Sequence, residues 1–166
     1  MDSDEIVIRS AEARDGERWL ELIDALAEYE KLPAPDPAAR QRLLKDAFGE
    51  RPRIDLFVAE LSDLLVGYAI TFETYSSFLA LPTLFLEDLF VLPEHRGKKA
   101  GYGLFQRRIR EAQRRGCGRM EWQVLDWNQL AIDFYEGLGA HQLKQWLSYR
   151  LLRADMERLA DSASIE

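Results

Sequence analysis

A strand-like run, Leu86-Glu87-Asp88-Leu89-Phe90-Val91-Leu92, leads into Pro93-Glu94-His95-Arg96-Gly97-Lys98-Lys99-Ala100-Gly101-Tyr102-Gly103-Leu104. Where a strand feeds a glycine- and lysine-bearing loop that opens a helix, the first helical N–H groups lack intrahelical acceptors. The positive end of the helix dipole stands behind them. Such a start is a seat for a pyrophosphate, and Arg96, Lys98 and Lys99 add positive charge to it. A tight turn explains the same glycines, so the loop alone does not decide between the two. A second segment accompanies it, Asp126-Trp127-Asn128-Gln129-Leu130-Ala131-Ile132-Asp133-Phe134-Tyr135-Glu136-Gly137-Leu138-Gly139-Ala140, in which an asparagine begins a helix that carries a tyrosine.

These segments must be held by a scaffold, and hydrophobic periodicity supplies one. Residues 6–9 alternate as a short edge strand. Asp15 then precedes a helix with Trp19, Leu22, Ile23, Leu26 and Ala27 at helical spacing, ending near Glu30. Asp36 followed by Pro37 reads as a cap with proline at the first helical position, and this second helix runs to about Phe48. Residues 54–60, 64–74 and 84–92 read as an antiparallel meander, with Ser62 and Asp63 as a hairpin turn. A helix over 101–115 has Leu104, Phe105, Ile109 and Ala112 on its apolar face and is stopped by Gly116. Residues 119–125 read as a strand, 129–138 as a helix closed by Gly139, and 142–152 as a last strand. The order βααβββαβαβ gives one domain, 1–166, of class α/β (α+β), with a mixed and mostly antiparallel sheet. The strands flanking the 101–115 helix are parallel neighbours through a right-handed crossover. For residues 155–166 the pattern leaves a terminal helix and a frayed end both open.

Together the two segments resemble the GNAT superfamily of acetyl-CoA-dependent N-acetyltransferases, whose pattern is a strand, an R-G-x-G-x-G/A loop and a later N-x-x-A-x-x-F-Y-x-x-x-G segment. Within it, the similarity is closest to the spermidine/spermine (diamine) and thialysine branch. Leu26-Ala27-Glu28-Tyr29-Glu30, Leu86-Glu87-Asp88 and Trp127-Asn128 support that branch, and the likeness extends from Ile6 to about Leu152. It implies central strands that splay around acetyl-CoA and transfer of acetyl to the primary amine of a small cation by direct attack in a ternary complex. Acetylation of an antibiotic or protein amine, and a non-catalytic acetyl-CoA sensor, are the alternatives. One position departs from the pattern: Lys99 replaces the first loop glycine. A side chain is tolerated there if φ is negative, whereas a positive φ counts against cofactor binding.

The resemblance also assigns roles. Leu89, Phe90 and Val91 offer backbone groups to the pantetheine arm. Arg96, Gly97, Lys98, Lys99, Ala100, Gly101 and Tyr102 receive the pyrophosphate, and Asn128 and Ala131 complete the cofactor contacts. Tyr135 protonates the leaving thiolate, and Glu87 deprotonates the arriving ammonium through water. Tyr29, Glu30, Glu87, Asp88, Glu121 and Gln123 line the acceptor groove, where carboxylates and aromatic faces suit a cation. Each has a plainer reading as well: Asn128 as a helix cap, Tyr135 as a core residue, Glu30 and Glu121 as surface charges. The arginines near Gln106 (Arg107, Arg108, Arg110, Arg114 and Arg115) read as a solvated helix face.

Composition narrows the field further. At 47% hydrophobic and 31% charged, the 166-residue chain can bury a core. A net charge of -7 disfavours a nucleic-acid surface and favours a cationic small substrate. His95 and His141 have no partner at ligand spacing, so no metal is expected. The single Cys117 forms no internal disulfide and reads as a small packed residue. No apolar run approaches the roughly 20 residues needed to span a bilayer, and residues 1–5 are acidic, so a cytoplasmic place without membrane contact is expected. By resemblance, the stretch Trp146-Leu147-Ser148-Tyr149-Arg150-Leu151-Leu152 pairs across a homodimer.

Overall fold

The computed structural model describes residues 5–162. They fall into two compact units divided after Gln123. In the first, β1 (Ile6–Ser10), β2 (Asp55–Leu61), β3 (Leu64–Ser76), β4 (Leu81–Val91) and β5 (Arg119–Trp122) lie side by side in chain order. The first four are antiparallel, and β4 and β5 run parallel, joined by α3 (Ala100–Arg114). This is the mixed α/β sheet that the sequence predicts. The β2–β3 turn is made by Ser62 and Asp63, both left-handed at φ 50 and 63, as a two-residue hairpin requires.

One face of the sheet is covered by α1 (Gly16–Glu30). Trp19 and Leu22 of α1 join Leu56, Val58, Leu65, Tyr68, Ile70 and Phe90 in an apolar cluster, with Leu43, Leu44 and Phe48 of α2 (Pro37–Phe48) packed against it. Asp36 caps α2 by accepting from the Ala39 N–H at 2.7 Å. Asp15 does not cap α1 in this way. Its carboxylate accepts from Glu12 N–H and from both Arg9 Nη atoms, and Arg9 also reaches Glu60, which holds Asp15 below the usual carboxylate range. Strand alternation places Phe57 and Thr71 on the other face, which α3 covers with Leu104, Phe105, Arg108 and Ala112.

The apolar face of α3 therefore differs from the expected one. Ile109 is exposed, and Arg108 is fully buried instead, its guanidinium carbon 3.4 Å from the centre of the Phe57 ring and its Nη1 donating to Thr71 Oγ1 at 3.1 Å. The solvated-face reading fails for this arginine: a position between Leu104 and Ala112 at i+4 spacing faces the sheet whatever occupies it. Arg115 is also engaged, bridging Asp55, Glu73 and Glu111.

The second unit holds α4 (Gln129–Gly137) and α5 (Arg153–Asp161). The strand expected over 142–152 does not form, and β5 stops at Trp122 rather than Leu125. A turn at Lys144 and Gln145 interrupts the segment, with the Trp146 N–H donating to the Leu143 carbonyl at 3.3 Å. Part of the 155–166 tail is helical, in α5; residues 163–166 lie outside the described residues.

Candidate active site

β4 carries the geometry on which the site is built. Its parallel pairing with β5 ends at Leu86 opposite Trp122, while β4 itself continues to Val91. On the other side it stays paired to β3 through Ala69–Leu89, Tyr68–Phe90 and Gly67–Val91. A Cβ at Gly67 would sit 2.6 Å from the Phe90 carbonyl oxygen, so this close approach of β3 requires glycine. The Leu92 N–H donates to Val66 at 2.9 Å. Since hydrogen-bonding direction alternates along an antiparallel strand, Phe90 also turns its backbone groups toward β3, and Leu89 and Val91 turn theirs toward the unpaired edge. Of the three residues expected to offer backbone groups there, Phe90 is thus the exception; its side chain is buried in the core.

After β4 a single 3₁₀ turn at Pro93–His95 leads to Arg96. Arg96 Nε donates to the Val91 carbonyl at 3.0 Å, and its guanidinium stacks 4.7 Å from the Tyr29 ring centre and 5.9 Å from that of Phe90. It ties the loop to the end of β4 and to α1. Gly97 has φ 81, and Lys99 has φ 65 and ψ 8. Of the two conformations left open at Lys99 the structure shows the positive φ, the one that counts against cofactor binding; the left-handed backbone costs a lysine about 1 kcal/mol, which is too little to rule that binding out. No side chain caps α3, so its first N–H groups point out of the helix, next to exposed Lys98 and Lys99, half-buried Gly101 and exposed Tyr102. A two-residue alternation of left-handed backbone before an uncapped helix start fits a pyrophosphate.

The carboxylates stand at the start of the open edge. The β3–β4 register shifts between Ile70, opposite Asp88, and Thr71, opposite Leu86, so Glu87 is the extra residue of a β-bulge and is exposed. Asp88 points to the α1 face, half-buried, and its Oδ2 accepts from the Tyr68 hydroxyl at 3.1 Å. Burial pushes Asp88 up to about 6; the Tyr68 hydrogen bond opposes this, and the Glu87 and Glu30 charges add to it. Burial likewise raises Glu30, and it raises the Tyr68 phenol well above its ordinary value, so Tyr68 stays a donor. Tyr29, Glu30, Asp88 and Arg96 therefore gather at the end of α1. Glu121, by contrast, is paired with Arg119 at 2.8 Å and lies opposite Phe85, and Gln123 follows the end of β5. Tyr68 was missed by sequence reasoning; it sits in a continuous apolar run of β3, and its value depends on the bulge that brings Asp88 opposite its neighbour Ile70.

Residues 19–140 match the Acetyltransferase (GNAT) family. The chain belongs to that family. It is 34% identical over 166 residues to thialysine N-epsilon-acetyltransferase of Sus scrofa, covering 93% of this chain and 97% of that protein. It is 33% identical to spermidine/spermine N(1)-acetyltransferase-like protein 1 of Homo sapiens, over 94% of this chain and 23% of that longer protein. Its fold is shared with AAC(6')-Iy, solved in complex with the bisubstrate analog CoA-S-monomethyl-acetylneamine, at a TM-score of 0.72 and 21% identity, covering 89% of this chain and 99% of the other. The protein is thus an N-acetyltransferase with the GNAT fold.

In the second unit of this GNAT enzyme, Asn128 caps α4: its side-chain oxygen accepts from the Ala131 N–H at 3.3 Å. Tyr135 is buried, with its ring 5.2 Å from that of Phe134, and its carbonyl accepts from the N–H groups of Leu138 and Ala140 at the helix end. Gly139, at φ 91, takes the left-handed turn that closes the helix. Among the described residues there is no cluster of metal-ligating side chains and no helix long and apolar enough to cross a membrane. Cys117 is half-buried and burial raises its thiol, which does not favour a thiolate nucleophile.

Proposed function

We propose that this enzyme transfers acetyl from acetyl-CoA to the primary amine of a small cationic acceptor (a thialysine-like amino acid, a diamine or a polyamine) by direct attack in a ternary complex. The observation that carries the reading is the group of carboxylates, Glu30, Glu87 and Asp88, placed on or beside β4 where its unpaired edge begins. Leu89, with the N–H of Val91, offers the pantetheine arm strand-like pairing, and the start of α3, from Arg96 to Tyr102, receives the pyrophosphate. Asn128 and Ala131 contribute to the same cofactor by the motif to which they belong. Tyr29 and Glu30, with Asp88, hold the acceptor's positive charge, and Glu121 and Gln123 extend the groove.

The acceptor arrives as an ammonium, and Glu87 or Asp88 removes a proton from it. The neutral nitrogen then attacks the thioester carbonyl, whose developing oxyanion is met by a backbone N–H near Leu89. As the C–S bond breaks, Tyr135 protonates the thiolate. Residues 1–166 act as one acyltransferase domain, a reading supported by a family match that spans both units. Two chains pair through 146–152, which the exposed Trp146, Leu147, Tyr149, Leu151 and Leu152 support. The single cysteine and the lack of a long apolar run suit a cytoplasmic enzyme of small molecules rather than of nucleic acid or membrane. Replacing Tyr135 by Phe tests the catalytic reading: kcat falls about 100-fold while acetyl-CoA affinity, measured by calorimetry, is kept. An unchanged kcat removes Tyr135 from the mechanism, and acetyl-CoA binding without turnover in the native protein supports a sensor instead.

A further inference from the structure

Beyond the part of the sheet that α1 covers, β3, β4 and β5 present a stretch of face with a composition of its own. The apolar cluster under α1 includes Tyr68, Ile70 and Phe90. Next along the same face, past Ile70 on β3 and past Asp88 on β4, come Phe72 and Phe85. They lie opposite each other in the register, half-buried, with ring centres 5.3 Å apart. Across the parallel β4–β5 ladder Glu121 is the partner of Phe85, and Arg119 that of Thr83. Trp122 sets its ring 5.4 Å from that of Phe105 on α3, so strand alternation turns Glu121 and Arg119 to the opposite face, the one that carries Phe85. There Arg119 Nε lies 2.8 Å from Glu121 Oε1, with 46% and 32% of the two side chains still exposed. An aromatic floor thus leads from the carboxylates at the start of the open edge to a fixed pair of opposite charges.

An ion pair is a poor seat for a second ammonium, because the arginine repels it and already neutralises the carboxylate. It suits a group that itself carries both charges. We propose that this face holds the tail of the acceptor, and that the acceptor is an amino acid with an amine on its side chain: the alkyl arm lies on Phe72 and Phe85, the α-ammonium meets Glu121 and the α-carboxylate meets Arg119. The inference rests on the amine-acetylation reading above and deepens it, by selecting the amino acid among the acceptors named there. The spacing agrees with it. From Asp88 to the row of Phe85 and Glu121 is two ladder steps, roughly 7 Å, since the bulged Glu87 adds little length. A short alkyl arm spans that distance between an amine reacting at the open edge and its α-carbon. The arm buries methylenes on the two rings, and the remaining N–H groups of the guanidinium offer the carboxylate a planar fork. A polyamine has no group for Arg119 to bind.

The test compares L-lysine and thialysine with cadaverine, which has the arm and both amines of lysine but no carboxylate, at a salt concentration that screens the long-range field of the protein. The native enzyme should acetylate lysine or thialysine at the side-chain amine, as read by mass spectrometry of the product. Arg119→Gln should lower kcat/KM for the amino acid roughly 10-fold. Cadaverine, which then meets an unpaired Glu121, should be held or improved, so the ratio of the two acceptors falls. Arg119→Lys should recover much of the loss, because the cation is restored. Phe85→Ala should raise KM about 10-fold for both acceptors, since both lay methylenes on the ring. A merely structural role for Arg119 would lower both acceptors alike. An unmoved ratio in Arg119→Gln, an unmoved KM in Phe85→Ala, acetylation at the α-amine, or a native enzyme that acetylates cadaverine and no amino acid overturns the inference while amine acetylation stands. If no amine is acetylated, the functional reading fails and this inference fails with it.

Discussion

A buried carboxylate costs stability, and Asp88 shows how much. Burial holds its folded value at about 6 against an ordinary 3.8. Between those values the folded protein binds more protons than the unfolded one, so stability falls as pH rises through about 6 and is fully regained only below about 4. Asp88→Asn removes that penalty. Relative to the native protein it should gain roughly 2–3 kcal/mol near pH 7.5, and little of this near pH 4, as read by urea denaturation at the two pH values. An equal gain at both, or a loss at neutral pH, contradicts the assignment of a buried charge. The sequence made Glu87 and Asp88 legible as acids at a strand end. Which of them faces inward was not legible, because that follows from a register shift against Ile70 and Thr71, and a bulge leaves no residue signature at these positions. Arg108 was misread for a related reason: charge suggested solvent, while position on the helix dictated burial.

At the scale of elements, α3 carries two local conflicts that the rest of the fold sustains. At its start, Lys99 adopts the left-handed backbone at φ 65. In its middle, Arg108 is fully buried with Nε and Nη2 lacking hydrogen-bond partners, and burial lowers it to about 10. A buried, partly unsatisfied cation is generally less stable than an apolar side chain of similar volume. Arg108→Met should therefore stabilise the protein by about 1–3 kcal/mol, read as a higher urea midpoint with unchanged slope. Destabilisation would mean that stacking on Phe57 and the Thr71 hydrogen bond outweigh the desolvation. The antiparallel meander, the crossover through α3 and the caps at Asp36 and Asn128 were all readable, since hydrophobic period and cap chemistry are local. The 142–152 segment has strand-like composition but forms no strand, because pairing is a property of two segments and one sequence window holds only one of them.

At the scale of the whole molecule, the surplus of seven negative charges and the exposed apolar stretch of the second unit carry the remaining expectations. Trp146 and Tyr149 are 73% and 91% exposed, and a second chain would bury them. Sedimentation at micromolar concentration should give a dimer, and Leu147→Asp with Tyr149→Asp should give a monomer; a native monomer removes the pairing. The negative field of the enzyme also predicts that acceptors of higher positive charge react with lower KM at low ionic strength and lose that advantage as salt rises. The most direct test of the central claim is release of coenzyme A thiol from acetyl-CoA with spermidine, putrescine, thialysine, lysine, an aminoglycoside and a peptide amine in turn. The proposed function predicts rapid release with one of the small aliphatic cations and slow release with the peptide. Release with none of them, despite acetyl-CoA binding, or with the peptide alone, would contradict it.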